Sequence, residues 1–370
     1  MPAARDLSAS PSMCLSPSLV LRRLGQSVLL FCGLAGAWSP LPAQGPLTPP
    51  GAPTPTMKTL DQIEARTPIQ SLPGDSTNLF IISQPGSYYL TGNITAVSGK
   101  ACIGLANFLS NVTIDLNGFT LFGAAGARPA IDGPQATVLY IFNGTLANFP
   151  GLGINLGIFA RSRIERVSFV NCAGGGAAVG CYSVVKDCTF QACGSVSSPS
   201  LSGLSETLVD HCVVVGNPTG DGIQVDYSSI VSNCIVSENS GSGIVANGGS
   251  VRFINDNCFA NLVDGIRGSN FADVVDCTCS LNGTAGNTAT SAGIHLIGQN
   301  GRVDHCFTTN NRGRGIAVDS SNAATTVTRN TSFNNTGSNY AIASGNRAAS
   351  IVTYNAASGF TSGDPLANTQ

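Results

Sequence analysis

The sequence predicts an all-β solenoid, a right-handed parallel β-helix, and three observations carry that prediction. A short pattern returns every 21 to 29 residues through most of the chain. Each return holds short strands of alternating polarity, separated by Gly, Asn, Ser or Asp. Composition agrees: of 370 residues, 44 are glycine, 3 methionine and 1 tryptophan, and amphipathic helical stretches are hard to find. A unit this short cannot bury its apolar face alone, so successive units must stack and share one core.

The chain opens with a segment outside the fold. Arg22-Arg23 precede the apolar run LGQSVLLFCGLAGA, which ends in Ala35-x-Ala37. Basic n-region, short h-region and small-residue site read as a secretory signal peptide over 1–37. The run is too short for a comfortable membrane span. Residues 38–56 form an extended linker, and 40–55 alone hold seven of the 19 prolines. Residues 57–85 are expected to cap the solenoid, with a short cap helix opened by the capping box Thr59-x-x-Gln62 and closed before Pro68. Such a cap covers a sheet edge that would otherwise invite aggregation. The solenoid is expected over 86–359 and a C-terminal tail over 360–370. The protein is read as secreted, at the cell surface or periplasmic, with no transmembrane segment in the mature chain.

The body is clearest when aligned on its cysteines. VSFVNC (167–172), CTFQAC (188–193), CVVVGN (212–217), CIVSEN (234–239), DNCFAN (256–261), CTCSLN (277–282), CFTTNN (306–311) and NTSFNN (330–335) are successive versions of one strand and bend. Most are followed by a small residue and isoleucine, as in Gly222-Ile223, Gly243-Ile244, Gly265-Ile266, Gly293-Ile294 and Gly315-Ile316. Period-2 alternation turns Val167/Phe169, Cys188/Phe190, Cys212/Val214 and Cys234/Val236 inward. Five residues on from the first inward position stand Asn217, Asn239, Asn261, Asn282, Asn311 and Asn335. At a bend, stacked side-chain amides satisfy turn groups that a sheet ladder leaves unpaired. These six are expected to form a structural ladder.

The tetrapeptide Val-Asp-His-Cys occurs at 209–212 and 303–306 and holds two of the three histidines. Its residue types suit a metal or nucleophile site, but its place in the repeat does not. The two copies lie four coils apart, roughly 19 Å at about 4.8 Å per strand, so they cannot share an ion. Val and Cys face the core; Asp and His are expected at a solvated corner. Of 13 cysteines, Cys14 and Cys32 fall in the signal segment, leaving an odd eleven. Most are read as small buried hydrophobes, because a stacking distance of about 4.8 Å exceeds the ~3.8 Å between Cβ atoms of a relaxed disulfide. Cys172–Cys193 and Cys258–Cys279 are the pairs left open to bridging. No metal site is expected.

On these residues the chain resembles exported bacterial right-handed β-helix repeat proteins of the pectate-lyase-like superfamily. MKTLDQIEARTPI (57–69) resembles the lead-in of that group, QPGSYYLTGNI and NVTIDLNGFTLFG its first coils, and the x-G-I and Asn columns its body. The resemblance implies the fold and admits polysaccharide lyases and hydrolases. It does not supply their motifs: there is no Asp-Asp pair, no Gly-His-Gly and no Arg-Ile-Lys. With 10% charged residues and a net charge of −2, no basic field exists for nucleic acid.

The remaining constellation lies around the x-G-I strand. Asp221, Asp226, Asp264, Arg267, His295 and Arg314 form a candidate ligand-binding face, with Arg267 and His295 in adjacent coils about 5 Å apart. Two insertions, 194–199 and 282–293, are expected on the rim of such a surface. Both are small and polar, without an aromatic platform. The sequence therefore reads as an exported, non-catalytic β-helix with a carbohydrate- or surface-binding face, no catalytic residue and no cofactor. Its partner is expected to be an extracellular or cell-surface polysaccharide. The alternative is a lyase or hydrolase acting on acidic polysaccharide, which would bring calcium as cofactor in the lyase case; an adhesin-like passenger comes third.

Overall fold

A computed structural model describes residues 66–284, 290–354 and 356–370. Among these residues the chain winds as a parallel β-solenoid with two long ladders. One is a 12-stranded sheet running from Asn78–Ile82 to Tyr340–Ile342 and built from the x-G-I strands. The other has 24 strands, since most coils contribute two to it, as with Ile230–Ser232 and Ile235–Ser237. Every pairing between these strands is parallel and joins neighbouring coils; Ile223, Ile244, Ile266, Ile294 and Ile316 stand in register. No described helix is long and apolar enough to cross a membrane.

One residue in the left-handed region separates the paired strands of a coil. His211, Asn233, Asn255, Asp276, His305 and Arg329 all take φ between 52° and 57° there. Both histidines of Val-Asp-His-Cys are thus corner residues with exposed side chains, while Val209, Cys212, Val303 and Cys306 lie in the core. The expected solvated corner holds for the histidines and fails for the aspartates. Asp304 is 1% exposed beneath Arg302 and Arg329. The Arg329 guanidinium, with Arg302 and Thr328, outweighs burial and holds its carboxyl well below the usual range. Asp210 is half-buried; burial opposes its charge, but bonds from Asn233, His211, Ser232 and Lys186 keep it ionised. A buried carboxylate here is stable because each oxygen is met by several donors.

The core changes character along its length while the register stays constant. Phe169 and Phe190 stack at 4.5 Å, and the column continues through Val214, Val236, Cys258 and Cys279 to Thr308 and Ser332. Its last two members are fully buried hydroxyls, bonded at 2.7 Å, with Ser332 donating on to the Asn339 carbonyl. All eleven described cysteines, Cys172, Cys193, Cys258 and Cys279 included, are free thiols, and all but Cys181 are buried. Burial pushes the Cys102 thiol up to about 12, which makes it inert.

The asparagines at 217, 239, 261, 282, 311 and 335 form one column. Asn261 Oδ1 accepts both the backbone N–H of Asn239 at 3.2 Å and its Nδ2 at 2.8 Å. Asn261 Nδ2 donates to Asn282 Oδ1 and to the Val236 carbonyl. Asn282 and Asn311 repeat the arrangement. At the ends it changes: Asn217 Nδ2 turns to the Asp221 carbonyl, and Asn335 bonds Asn339 of its own bend. This column also explains the glycine of x-G-I. A Cβ on Gly243 would lie 2.7 Å from Asn261 Nδ2, and one on Gly265 2.8 Å from Asn282 Nδ2. Both contacts are below van der Waals distance, so the two repeated sequence signals are halves of one packing device.

The solenoid extends past both expected ends. Asn78–Ile82 already pairs with Ala101–Leu105, inside the stretch assigned to a cap, and Ile69–Ser71 is a single 3-10 turn with Ile69 buried. The cap helix at Thr59–Gln62 lies outside the described residues. Residues 360–370 are no free tail: Asn368–Thr369 pairs with Ile351–Val352, and Asn368 is fully buried against Asn330. The chain end re-enters because its asparagine continues a second amide column.

Candidate functional site

The x-G-I strands place the candidate face in a row. Gln224, Val245, Arg267, His295 and Ala317 are register partners in successive coils. Side chains at these positions leave the core because the flanking Ile and Val point in. The row is not a uniform solvated strip, however. Arg267 is exposed, whereas His295 is 7% and Asp264 2% exposed.

His295 is the centre of the best-defined cluster. Its Nδ1 lies 3.2 Å from Asp264 Oδ2, and its Nε2 lies 2.8 Å from Asp319 Oδ2. Arg314 closes the group with Nη1 2.6 Å from Asp319 Oδ1 and Nη2 3.4 Å from His295 Nε2. Asp264 also accepts the Ala292 N–H at 2.7 Å, so it is anchored to the next coil. Burial by itself would drive protons off His295, but Asp264 and Asp319 outweigh it and raise the imidazole above its usual range. Two carboxylates and a guanidinium around the imidazole form a closed network that favours its charged form.

The expected face therefore divides. Asp264, His295 and Arg314 come together; Arg267, although His295's register partner, has no ion pair among the described residues because Asp264 turns to the histidine. Asp221 accepts the Ser242 N–H at 2.7 Å. Burial raises its carboxyl above the usual range, with that bond and Arg267 opposing and Asp264 adding. Asp226 stands apart, past the end of Ile223–Val225 and against Gly248 of the next coil. Asp319 escaped the sequence reading. It sits three residues after Ile316, as Asp226 does after Ile223, so the column position was available as a signal.

Beside Asp221, the 194–199 insertion folds over the row. Ser195 and Ser198 bridge each other, and the loop encloses a polar cavity of about 250 Å³ with Thr219, Asp221 and Gln224. The second insertion falls partly outside the described residues.

Fold and face together define a right-handed parallel β-helix repeat protein. Residues 130–278 match the family model described as the right handed beta helix region. No curated protein matches the sequence. Among solved structures, the chain is similar to the periplasmic alginate epimerase AlgG, with 12% identity, a TM-score of 0.49, and 73% of this chain and 76% of that one covered. It is also similar to the AlgE4 A-module, a mannuronan C-5 epimerase of Azotobacter vinelandii, at 12% identity and TM-score 0.40 over 82% and 88%. Pectate lyase Pel9A follows at 15% identity and TM-score 0.36, over 70% and 62%.

Proposed function

We propose that this chain is an exported, non-catalytic β-helix whose x-G-I face binds carbohydrate, without a cofactor. The cavity between the 194–199 loop and Asp221/Gln224 is the observation that carries this reading. Its walls offer hydroxyl, amide and carboxyl groups at one end of a regular row of side chains, which suits a hydroxyl-rich ligand repeating along its length. The segment 1–37 supports export.

The cluster around His295 favours the second reading, a lyase or hydrolase on acidic polysaccharide, with calcium in the lyase case. Its geometry argues against that. A lyase needs a base that faces the substrate, and both ring nitrogens of His295 are taken up by Asp264 and Asp319. A glycan array run with and without calcium, followed by titration calorimetry on the best ligand, tests the proposal. Asp221→Ala and Gln224→Ala are expected to weaken binding by about tenfold or more each. Unchanged affinity in both variants would remove the cavity from the account.

A further inference from the structure

A different surface lies at the turn after the x-G-I strand, in the coils spanning residues 108–182. Three adjacent cavities share walls there. The first, about 260 Å³, is lined by Phe108, Pro134, Ala136, Ile158 and Phe159, with Gln135 and Thr137 its only polar side chains. The second, about 480 Å³, lies between Phe159, Arg161 and Tyr182. The third, about 550 Å³, runs past Val138 and Arg161 to Tyr140 and Arg163.

This groove is costly to the fold in two ways. Phe108 and Phe159 are 81% and 80% exposed and line the same cavity, so they form a joined apolar patch rather than the scattered single residues a surface normally shows. Phe108, Val138 and Tyr182 also take φ of 58°, 52° and 59°, a region that disfavours bulky and β-branched side chains. At similar turns the chain uses Asn111, Ser228 and Asn300, so relief of both costs was within its repertoire. Phe271 and Leu281 show the combination singly elsewhere. Around this groove three such residues meet.

Charge narrows what the groove can hold. The Arg161 guanidinium stacks 5.2 Å over the Tyr182 ring, and no carboxylate among the described residues lies within ion-pair reach of it. Its neighbour Arg163 is neutralised by Glu165. One uncompensated cation therefore sits next to an apolar pocket. A sugar ring in that pocket would lose water from hydroxyls that find few partners, whereas an apolar side chain loses nothing. We propose that this groove docks an extended segment of a partner protein, which seats an apolar side chain between Phe108, Ile158 and Phe159 and a nearby carboxylate on Arg161. The site is independent of the x-G-I face.

Panning a phage-displayed library of random linear peptides on the full chain tests this. Selected peptides are expected to place an aromatic or aliphatic residue within a few positions of Asp or Glu. Their affinity, read by fluorescence anisotropy, is expected to fall on the order of tenfold or more in Arg161→Glu and in Phe159→Ser, with Arg161→Lys losing less. Both side chains are surface groups, and matching thermal melts confirm folding; if Arg161→Glu melts early, Arg161→Gln replaces it. Peptides that ignore both substitutions, or no enrichment over the bare support, overturn the proposal. So does a dimer in sedimentation velocity that Phe159→Ser dissolves, which gives the groove to a second copy. Saturable binding of tetragalacturonate that Arg161→Glu abolishes gives it to a glycan and likewise overturns it.

Discussion

Asp256 occupies a core column that from Cys188 onward is otherwise filled by thiols and amides, and its replacement by asparagine is expected to stabilise the protein. It is 1% exposed. Oδ1 accepts the Cys234 N–H at 2.9 Å, and Oδ2 has no partner. Asn330, in the same column, shows what belongs there. Its Oδ1 accepts the Cys306 N–H at 2.8 Å, and its Nδ2 donates to the Val303 carbonyl at 3.0 Å. By register the carbonyl below Asp256 that matches Val303 is that of Val231, an acceptor that favours a donor at this position over a carboxylate. Burial, opposed by the Cys234 and Ile254 backbone bonds, pushes the Asp256 carboxyl up from 3.8 to about 7. A raised acid leaves stability intact below its unfolded pKa and removes it as pH climbs through the folded one. At about 1.4 kcal/mol per tenfold in proton affinity, the loss by pH 8 is roughly 4 kcal/mol. Asp256→Asn supplies the donor permanently. Urea melts of both proteins at pH 4, 6 and 8 are expected to differ by under about 1 kcal/mol at pH 4 and by about 2–4 kcal/mol at pH 8, the variant being the more stable. Equal stability at pH 8, or a difference independent of pH, would refute the reasoning.

Other substitutions separate structure from decoration. Asn261→Ala leaves the Asn239 N–H and the Val236 carbonyl of the preceding coil unpaired and should cost about 1–3 kcal/mol, and Gly243→Ala, which drives a methyl into Asn261, a similar amount; His211→Ala at the exposed corner should stay within about ±0.5 kcal/mol in the same denaturant melts. Thiol titration of a denatured, unreduced chain lacking residues 1–37 should find all eleven cysteines of residues 102–306 free, and a deficit of two per molecule would reveal a bridge. His295→Gln should destabilise most near pH 6. The wild-type network contributes fully below the imidazole's unfolded value of 6.5 and fades as pH rises through its raised folded value, so thermal melts should converge toward pH 9. A gap that widens with pH would mean the histidine is buried neutral.

The columns were legible in the sequence because each coil repeats the same bend. Cys, Asn and Gly-Ile return at fixed offsets, and a period-2 strand leaves one choice of which side faces in. What the repeat could not show is where neighbouring coils exchange side chains. Asp304 reads as a corner residue until Arg302 and Arg329 close over it from its own strand and the next coil. Asp264 reads as Arg267's companion until His295, 31 residues on, takes it. Phe108, Phe159 and Tyr182 lie in early coils that lack the Asn column, so no offset marks them. The ends are hidden for the same reason: Asn78–Ile82 and Asn368–Thr369 pair by register outside the Cys, Asn and Gly-Ile offsets of the repeat.

The central claim is that the x-G-I face binds without turnover. Its most direct test is to incubate the purified protein with pectate, alginate and hyaluronan, with and without calcium, following absorbance of unsaturated products and release of reducing ends. The account predicts no product on any polymer. Asp264 and Asp319, on opposite nitrogens of His295, are the closest carboxyl pair of this face, and His295 and Arg314 hold Asp319 in place; Asp221 stands two coils or about 10 Å from Asp264, at the edge of the separation a glycosidase uses. Asp264 is bound to Ala292 and His295 and is not free to act on substrate. Turnover that vanishes in Asp264→Ala or Arg267→Ala would contradict the account and make the face an active site.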